Sequence, residues 1–277
     1  MSNSLPELTI EAGRGERHYW QDLWRYRELL YFLAWRDVKV RYKQTLVGVA
    51  WVVVRPLLMM AVLTLVFHRI AGMREASGVP YALMVLAGLL PWQFFSATLA
   101  ESGNSLVGNA QIISKIYFPR ILVPISTLVA GLVDFAVTLL LLIPLMAWYG
   151  QWPDWTLLLL PAMALVGALV TLGVGISLAA LNVQYRDVRF VIPFIVQFGL
   201  YVTPVGFRAG EVPDDWRWLF DLNPMVGVVE GFRWCLLGGY PPPSTTALLG
   251  SVTVGVVMFA FGVRHFRRVE NTFADVI

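Results

Sequence analysis

The residues best suited to chemistry in this sequence form a short basic cluster, Arg36, Lys39, Arg41 and Lys43. Guanidinium and ammonium groups bind phosphate oxygens, so such a cluster suits a phosphate-bearing ligand or an anionic lipid surface. The cluster directly precedes an apolar run long enough to cross a bilayer. We interpret it as an anchor at the cytoplasmic membrane face, and the sequence leaves open whether any of its side chains also contacts a phosphate-bearing substrate.

The sequence lacks the usual patterns of catalytic and metal-binding sites. None of the three lysines, Lys39, Lys43 and Lys115, follows a glycine, so the Gly-Lys-Ser/Thr loop that holds nucleotide phosphates is missing. The three histidines do not have the spacing of metal ligands, and no serine has the surroundings of a nucleophile elbow. We therefore expect a transport subunit without enzyme activity, metal or cofactor, in which the single Cys235 is a packing residue.

Composition indicates where these residues are placed. Apolar residues make up 57% of the 277 residues and charged residues only 14%, whereas soluble domains carry about a quarter charged residues. The mean hydropathy is +0.65. These values predict an all-α integral membrane protein with six transmembrane helices, at about residues 47–67, 81–100, 121–148, 155–182, 190–205 and 245–263. Between the fifth and sixth spans, residues 226–237 are apolar but too short to cross, which predicts short re-entrant helices on the external side.

The chain divides into four parts in this interpretation: a polar tail at 1–18, a helical lead-in at 19–45, the six-span domain at 46–268 and a cytoplasmic tail at 269–277. The lead-in is amphipathic, and at helical spacing its apolar face comprises Trp20, Leu23, Trp24, Leu30, Tyr31, Ala34 and Trp35. An aromatic face opposite a charged face predicts a helix that lies in the headgroup plane, and the alternative is a helix packed on protein.

Charge asymmetry predicts the orientation in the membrane. Fifteen of the 21 Lys and Arg residues fall on one side of the predicted spans and five on the other. Cytoplasmic loops carry the excess of Lys and Arg, so we expect a multi-pass protein of the cytoplasmic (inner) membrane with both termini in the cytoplasm. The same rule places the loop between the second and third spans on the cytoplasmic side.

That loop, residues 108–120, reads GNAQIISKIYFPR. It is a stretch with polar and basic residues that separates two apolar runs. Residues 110–118 have the pattern of a two-turn helix with Ile112, Ile113 and Ile116 on one side, ended by Pro119. A short amphipathic helix at the membrane surface suits contact with a soluble partner, and the alternative is a plain connector. The candidate contact residues are Asn109, Gln111, Ile112, Ile113, Lys115, Tyr117, Phe118, Pro119 and Arg120.

Two charges fall inside predicted spans, Arg55 and Asp134, and such charges are functional candidates because lipid disfavours them. Asp134 is either a lumen or subunit-interface residue or half of a structural pair, for which the candidate partner is Arg55 of this or another subunit. Glu101, at the inner end of the second span, is interpreted as interfacial. Aromatic residues near the outer span ends could line a pore along which sugar rings slide, or simply pack: Trp92, Phe94, Phe95, Phe198 and Tyr201.

Four stretches of the chain, in order, resemble the ABC-2 family of exporter permeases, in particular the branch that exports O-antigen, capsule and teichoic-acid chains. They are WRDVKVRYKQTLVGVAWVVVRPLL at 35–58, ISKIYFPRILVP at 113–124, LNVQYRDVRFVIPFIVQFGLYVTPV at 181–205 and NPMVGVVEGFRW at 223–234. The resemblance spans about residues 30–268. Arg55 departs from it, since the family pattern leads us to expect an uncharged polar residue such as glutamine there.

The resemblance implies a channel at the axis of a homodimer, driven by two copies of a separate ATPase that carries the ATP and magnesium. It implies that the 108–120 loop seats in a groove of the ATPase, and that the basic cluster meets the diphosphate of a polyprenyl-linked polysaccharide. Nucleic acid is not an expected partner. The alternatives are an exporter of a drug or another lipid, a membrane-embedded glycosyl or phosphosugar transferase, and a passive channel.

Overall fold

The computed structural model describes residues 19–43, 48–73, 78–270 and 273, and the regular elements within these ranges are helices. The predicted tail at 1–18 lies outside the described residues, as do the last four residues of the predicted C-terminal tail. In chain order the α-helices are α1 Tyr19–Arg25, α2 Arg27–Lys43, α3 Gly48–Leu63, α4 Tyr81–Gly108, α5 Ala110–Ile113, α6 Leu122–Tyr149, α7 Leu160–Gln184, α8 Val188–Val202, α9 Asp214–Asp221, α10 Pro224–Leu236 and α11 Thr245–Val269.

Five apolar helical segments in the described part are long enough to cross a membrane: Ala50–Ile70, Tyr81–Gly108, Leu122–Tyr149, Trp155–Gln184 and Thr245–Val269. The first continues α3 through a π-helical segment, Thr64–Ile70, and the fourth joins a 3₁₀ turn, Trp155–Leu159, to α7. The predicted fifth span corresponds to α8, which has 15 residues and ends before Pro204. Fifteen residues reach about 22 Å, less than the hydrocarbon thickness of about 30 Å. The prediction of an all-helical membrane protein is confirmed.

The predicted amphipathic lead-in is a helix interrupted at Tyr26, which separates α1 from α2. Its buried residues are Tyr19, Leu33 and Ala34, whereas Trp24 and Trp35 are exposed. The predicted apolar face is therefore only partly covered by the protein, because α2 packs against α6 through a narrow aliphatic stripe. The exposed aromatic side chains remain free for the headgroup region.

Helix α4 lies at the centre of the bundle, with 78% of its most apolar window buried by neighbouring helices. Helices α7 and α11 pack closely at Gly173, where a Cβ atom would lie 2.5 Å from the backbone nitrogen of Phe259. On α11 the matching position is Gly262, whose Cβ would lie 2.7 Å from the carbonyl oxygen of Gly173. The small residues that the sequence places in the fourth span thus permit backbone contact, as expected for such helices.

Between α8 and α11, the short helices α9 and α10 form the end of the molecule opposite the 108–120 loop. Helix α10 is buried along most of its 13 residues, as predicted for a re-entrant segment. It begins at Asn223, whose side chain accepts a hydrogen bond from the Met225 backbone N–H, followed by proline at the first helical position. Gly227 lies against α11, where a Cβ would meet the carbonyl oxygen of Ala247 at 2.4 Å.

The Arg233 network holds α10 in place. The guanidinium of Arg233 is fully buried (0% exposed) and pairs with Glu230 at 2.9 Å between Nη1 and Oε1. Its other hydrogen bonds are donated to three backbone carbonyl oxygens, those of Met84 at 3.1 Å, Val205 at 2.7 Å and Phe207 at 2.9 Å. These carbonyls belong to α4 and to the chain after α8, so one side chain joins three segments.

The Glu230 carboxylate has two further donors. The hydroxyl of Tyr240 donates to Oε2 at 3.0 Å and the backbone N–H of Ala209 donates to Oε1 at 3.1 Å. Burial raises the pKa of the Tyr240 hydroxyl above its ordinary value, so it stays protonated and remains a donor. The polar groups of this buried site are thus matched, which is the condition for a buried ion pair to persist.

Candidate functional site

The 108–120 loop has a buried base and an exposed rim. Ile113 and Phe118 are buried in a cluster with residues of α4, α7 and α11, including Leu106, Ile176 and Phe266. The rim consists of the exposed residues Gln111, Ser114, Lys115, Ile116 and Tyr117.

The predicted two-turn helix over 110–118 is wrong in its length, because only Ala110–Ile113 is helical. Consequently the three isoleucines do not share a surface: Ile113 is buried, Ile112 is partly buried and Ile116 is 57% exposed. The chain turns at residues 114–116, which lets Phe118 reach the core and places Tyr117, 63% exposed, beside Ile116 on the rim. Asn109 bonds back to the Ser105 carbonyl at 2.8 Å.

At the other end of the loop, Arg120 is attached to the end of α11. The Arg120 backbone N–H donates to Glu270 Oε1 at 2.6 Å, and its guanidinium donates to the Glu270 carbonyl oxygen. The Tyr19 hydroxyl also interacts electrostatically with Glu270, and the Arg267 guanidinium lies 4.7 Å from the centroid of the Tyr19 ring. Burial raises the pKa of the Glu270 carboxyl and, together with Glu270, that of the Tyr19 hydroxyl. Arg120 therefore attaches the loop to the end of α11, next to the start of α1.

The four residues of the predicted basic cluster fall into different environments. Lys39 and Lys43 are exposed on α2. Arg36 is partly buried and pairs with the adjacent Asp37 at 2.7 Å. Arg41 turns inward, away from the other three.

Arg41 lies in a group of polar side chains that we call the Arg41 cluster and that consists of Arg41, Tyr42, Glu101 and Asp134. The Arg41 guanidinium pairs with Glu101 and Asp134, and the Tyr42 hydroxyl donates to Asp134. Burial opposes the charge on Arg41, but the attraction of the two carboxylates outweighs it and raises the pKa of the guanidinium. The cluster joins α2, α4 and α6, three elements that are far apart in the sequence.

This arrangement corrects two expectations. The structural partner of Asp134 is Arg41 together with Tyr42, and it is not Arg55 of the same chain. Glu101, which the sequence suggested to be merely interfacial, is part of the ion cluster. Sequence reasoning missed both because α2 lies outside the spans, and its contact with α6 could be found only from packing.

A cavity of about 540 Å³ lies beside the Arg41 cluster, between α2, α3, α4 and α6. Its charged lining residues are Arg41, Arg55, Glu101 and Asp134. The side chain of Arg55 is exposed and has no ion pair in the described part of the chain. The two predicted intramembrane charges therefore lie on one cavity without pairing to each other.

The five predicted pore aromatics divide into two groups. Trp92, Phe94 and Phe95 are buried, at 5%, 8% and 6% exposure, and pack within the chain. The Trp92 ring lies 5.5 Å from Phe95, and the Phe94 ring also lines the cavity. Phe198 and Tyr201 are exposed on α8, at 57% and 64%. A channel along this chain's surface would thus meet the aromatics of α8 before those of α4.

The described residues contain no group of three or more His, Cys, Asp and Glu side chains suited to hold a metal ion. Cys235, a free thiol, is buried within α10. What the described geometry offers is an anchored loop with an exposed rim, a cluster of ion pairs between helices and an amphipathic cavity.

Comparison with known proteins gives this geometry a family. The ABC-2 type transporter model matches residues 28–237, which include the basic cluster, the 108–120 loop and α10. The O-antigen export system permease protein RfbA of Myxococcus xanthus is 29% identical over 259 residues, covering 93% of this chain and 98% of the relative. The protein of the same name from Klebsiella pneumoniae is 26% identical over 251 residues, covering 90% and 95%.

A further relative is the polysialic acid transport protein KpsM of Escherichia coli, which is 24% identical over 219 residues, covering 74% of this chain and 80% of the relative. The family model matches about three quarters of the chain, and its limits enclose the loop and both ion sites. The resemblance noted from the sequence motifs is thereby confirmed, and the chain belongs to the ABC-2 type transporter family.

Proposed function

We propose that this chain is the membrane subunit of an ATP-driven exporter that moves a polyprenyl-diphosphate-linked polysaccharide across the cytoplasmic membrane. The observation that carries the proposal is the 108–120 loop, whose buried base fixes an exposed rim of Lys115, Ile116 and Tyr117. Exposed apolar side chains on a rigid support are suited to bind a soluble partner. The names of the relatives, O-antigen export permease and polysialic acid transport protein, support a polysaccharide as cargo.

In the proposed assembly, two copies of this chain form the channel and two copies of a separate ATPase bind below, where they hold ATP and magnesium. The charge asymmetry of the sequence supports a position in the inner membrane with the loop and both termini in the cytoplasm. Lys39 and Lys43, which are exposed on α2, are the members of the basic cluster best placed to meet the diphosphate. Arg41 has a different role, since two carboxylates already neutralise it.

The proposal is tested by purifying this chain together with the ATPase encoded beside it. ATP hydrolysis is then measured with and without a polyprenyl-linked glycan. We expect a stable complex whose hydrolysis rate changes when the glycan is added. A stable complex that does not respond to the glycan contradicts the cargo and favours a drug or another lipid. A folded chain that binds no ATPase contradicts the exporter itself and favours a channel or an enzyme.

The loop assignment has a sharper test in the double variant Ile116→Ser, Tyr117→Ser. Both side chains are exposed, so we expect an unchanged melting temperature and loss of ATPase co-purification by at least about tenfold, equivalent to 1.4 kcal/mol. Tyr149→Ser, another exposed aromatic at the opposite end of the bundle, is the matched control and should retain the ATPase. Aspartate at position 113 is unsuitable here, because Ile113 is buried and a charge would unfold the base.

A further inference from the structure

The cavity beside the Arg41 cluster has the properties of a ligand site for an amphiphile. Its volume of about 540 Å³ lies within the range of about 300–1,000 Å³ that is typical of small-molecule pockets. Apolar walls come from Trp51, Leu90, Phe94 and Phe135, on three different helices. Polar residues line it as well, so it presents both a polar and an apolar surface.

The charges on this cavity are separated by sign. Arg41 pairs with both Glu101 and Asp134. One positive charge faces two carboxylates, so these three side chains together have a net charge of one negative unit. The unpaired positive charge is that of Arg55 on α3. The charges of the four lining residues therefore add up to zero. They form two separate sites on the cavity wall, an anionic one at the Arg41 cluster and a cationic one at Arg55.

The free hydrogen-bonding capacity can be assigned to one carboxylate. Both oxygens of Asp134 are engaged, Oδ2 by Arg41 and Oδ1 by Tyr42. Glu101 uses only Oε2, and its side chain is 40% exposed. Among the described residues no donor reaches Glu101 Oε1, which makes it the available acceptor on the cavity.

Arg55 lies seven residues after Gly48, the start of α3, which is a distance of about 10 Å along the helix. A guanidinium at that depth is costly unless an anion or water accompanies it, and the phosphates of the nearer leaflet are the anions within snorkelling reach. A ligand with only negative charge would satisfy Arg55 but would be repelled by the excess carboxylate. A headgroup with a phosphate and an ammonium matches both sites.

We propose that this cavity binds a phospholipid whose headgroup carries a phosphate and a primary ammonium, as phosphatidylethanolamine does. Arg55 donates to the phosphate oxygens, Glu101 Oε1 accepts from the ammonium, and the apolar walls contact the lipid chains. The site is independent of the polysaccharide cargo, because its neutral sum of charges disfavours a diphosphate.

The test is native mass spectrometry of the full chain released from nanodiscs that contain equal amounts of phosphatidylethanolamine and phosphatidylcholine. Both lipids carry the phosphate, but the trimethylated amine of phosphatidylcholine has no N–H to donate to Glu101. We expect retention of phosphatidylethanolamine to exceed that of phosphatidylcholine by about tenfold, equivalent to 1.4 kcal/mol. Stepwise N-methylation of the headgroup should lower retention progressively, a measurement that needs no variant of the protein.

Variants assign the two contacts separately. Glu101→Gln should abolish the preference between the two lipids, whereas Arg55→Gln should lower the retention of both. Arg208→Gln removes a partly exposed arginine outside the cavity and should change neither. Equal retention of the two lipids by the unmodified chain overturns the proposal. The proposal is also overturned if a second copy of this chain covers the cavity. In that case Arg55→Gln would leave lipid binding unaffected and weaken the dimer.

Discussion

The two ends of this bundle each contain an arginine that joins several helices, but the arginines are held in opposite ways. Arg233, on α10, is fully buried, and its partners are one carboxylate three residues away and three backbone carbonyls. Arg41, on α2, has a side chain that is 25% exposed, and its partners are two carboxylates on α4 and α6. One site is closed and bonded to backbone, and the other opens on a cavity and is bonded to side chains.

From this difference we predict that the Arg233 network has a structural role and that the Arg41 cluster takes part in movement. Carbonyl partners are fixed to the backbone, so the Arg233 network can exist in only one arrangement and locks α10 to α4. The Arg41 cluster consists of flexible side chains next to a cavity, so it can rearrange if α2 moves relative to α4 and α6. In the proposed exporter the ATPase would act from the loop end, and the looser cluster is where we expect movement to be transmitted.

The largest loss of stability among the variants that test this comparison is expected from Arg233→Met. The substitution leaves Glu230 buried without its cation, which typically costs about 3–5 kcal/mol. We expect little folded protein, measured as the monodisperse fraction after size-exclusion chromatography and by thermal unfolding. The matched control is Arg217→Met, which breaks an exposed pair with Asp214 at the same end and should cost less than about 1 kcal/mol. Equal losses would contradict a locking role for Arg233.

A smaller loss is expected from Gly88→Ala on α4. The added Cβ would lie 2.8 Å from Nη2 and 3.0 Å from Nε of Arg233, a guanidinium that four hydrogen bonds hold in place. Crowding of this kind costs about 1–3 kcal/mol, to be read from the melting temperature. Gly108→Ala has no atom within 4 Å of its new Cβ and should be neutral. If both variants melt alike, the network is not rigid.

Arg41→Gln is expected to cost less, about 1–2 kcal/mol, because water can reach the two carboxylates left behind. Glycan export should fall several-fold while ATPase binding persists, since α2 loses its tie to α4 and α6 but the loop rim is unchanged. Adding Glu101→Gln should restore part of the stability by removing one of the like charges. Full export by Arg41→Gln would contradict transmission through this cluster.

The smallest expected effect is a difference in salt dependence. The Debye length falls from about 10 Å at 0.1 M to about 3 Å at 1 M salt, so pairs that water reaches are weakened and buried pairs are not. The stability difference between Arg41→Gln and the unmodified chain should shrink in 1 M salt by a few tenths of a kcal/mol. The Gly88→Ala difference should stay constant, and a parallel change in both would remove the distinction between the two ends.

Much of the fold follows from local sequence properties. Apolar runs of bilayer length predicted α3, α4, α6, α7 and α11, and the re-entrant helix α10 followed from a run too short to cross. One local prediction failed where tertiary contacts override helical propensity, because residues 114–118 leave the helix so that Phe118 reaches the core. The fifth predicted span is present as α8, which ends at Val202 because residues 203–206 are buried as a turn.

By itself, the sequence determined the membrane environment, the helical segments long enough to span it and the family, because hydropathy and motifs are local in the chain. Only the tertiary structure decided which charges meet. Arg41 and Asp134 are 93 positions apart and Arg233 and Met84 are 149 apart, and these contacts depend on how helices pack. Asp134 therefore pairs with Arg41 on α2, while Arg55 on the neighbouring span stays on the cavity, because helix packing rather than residue type sets the distance between them.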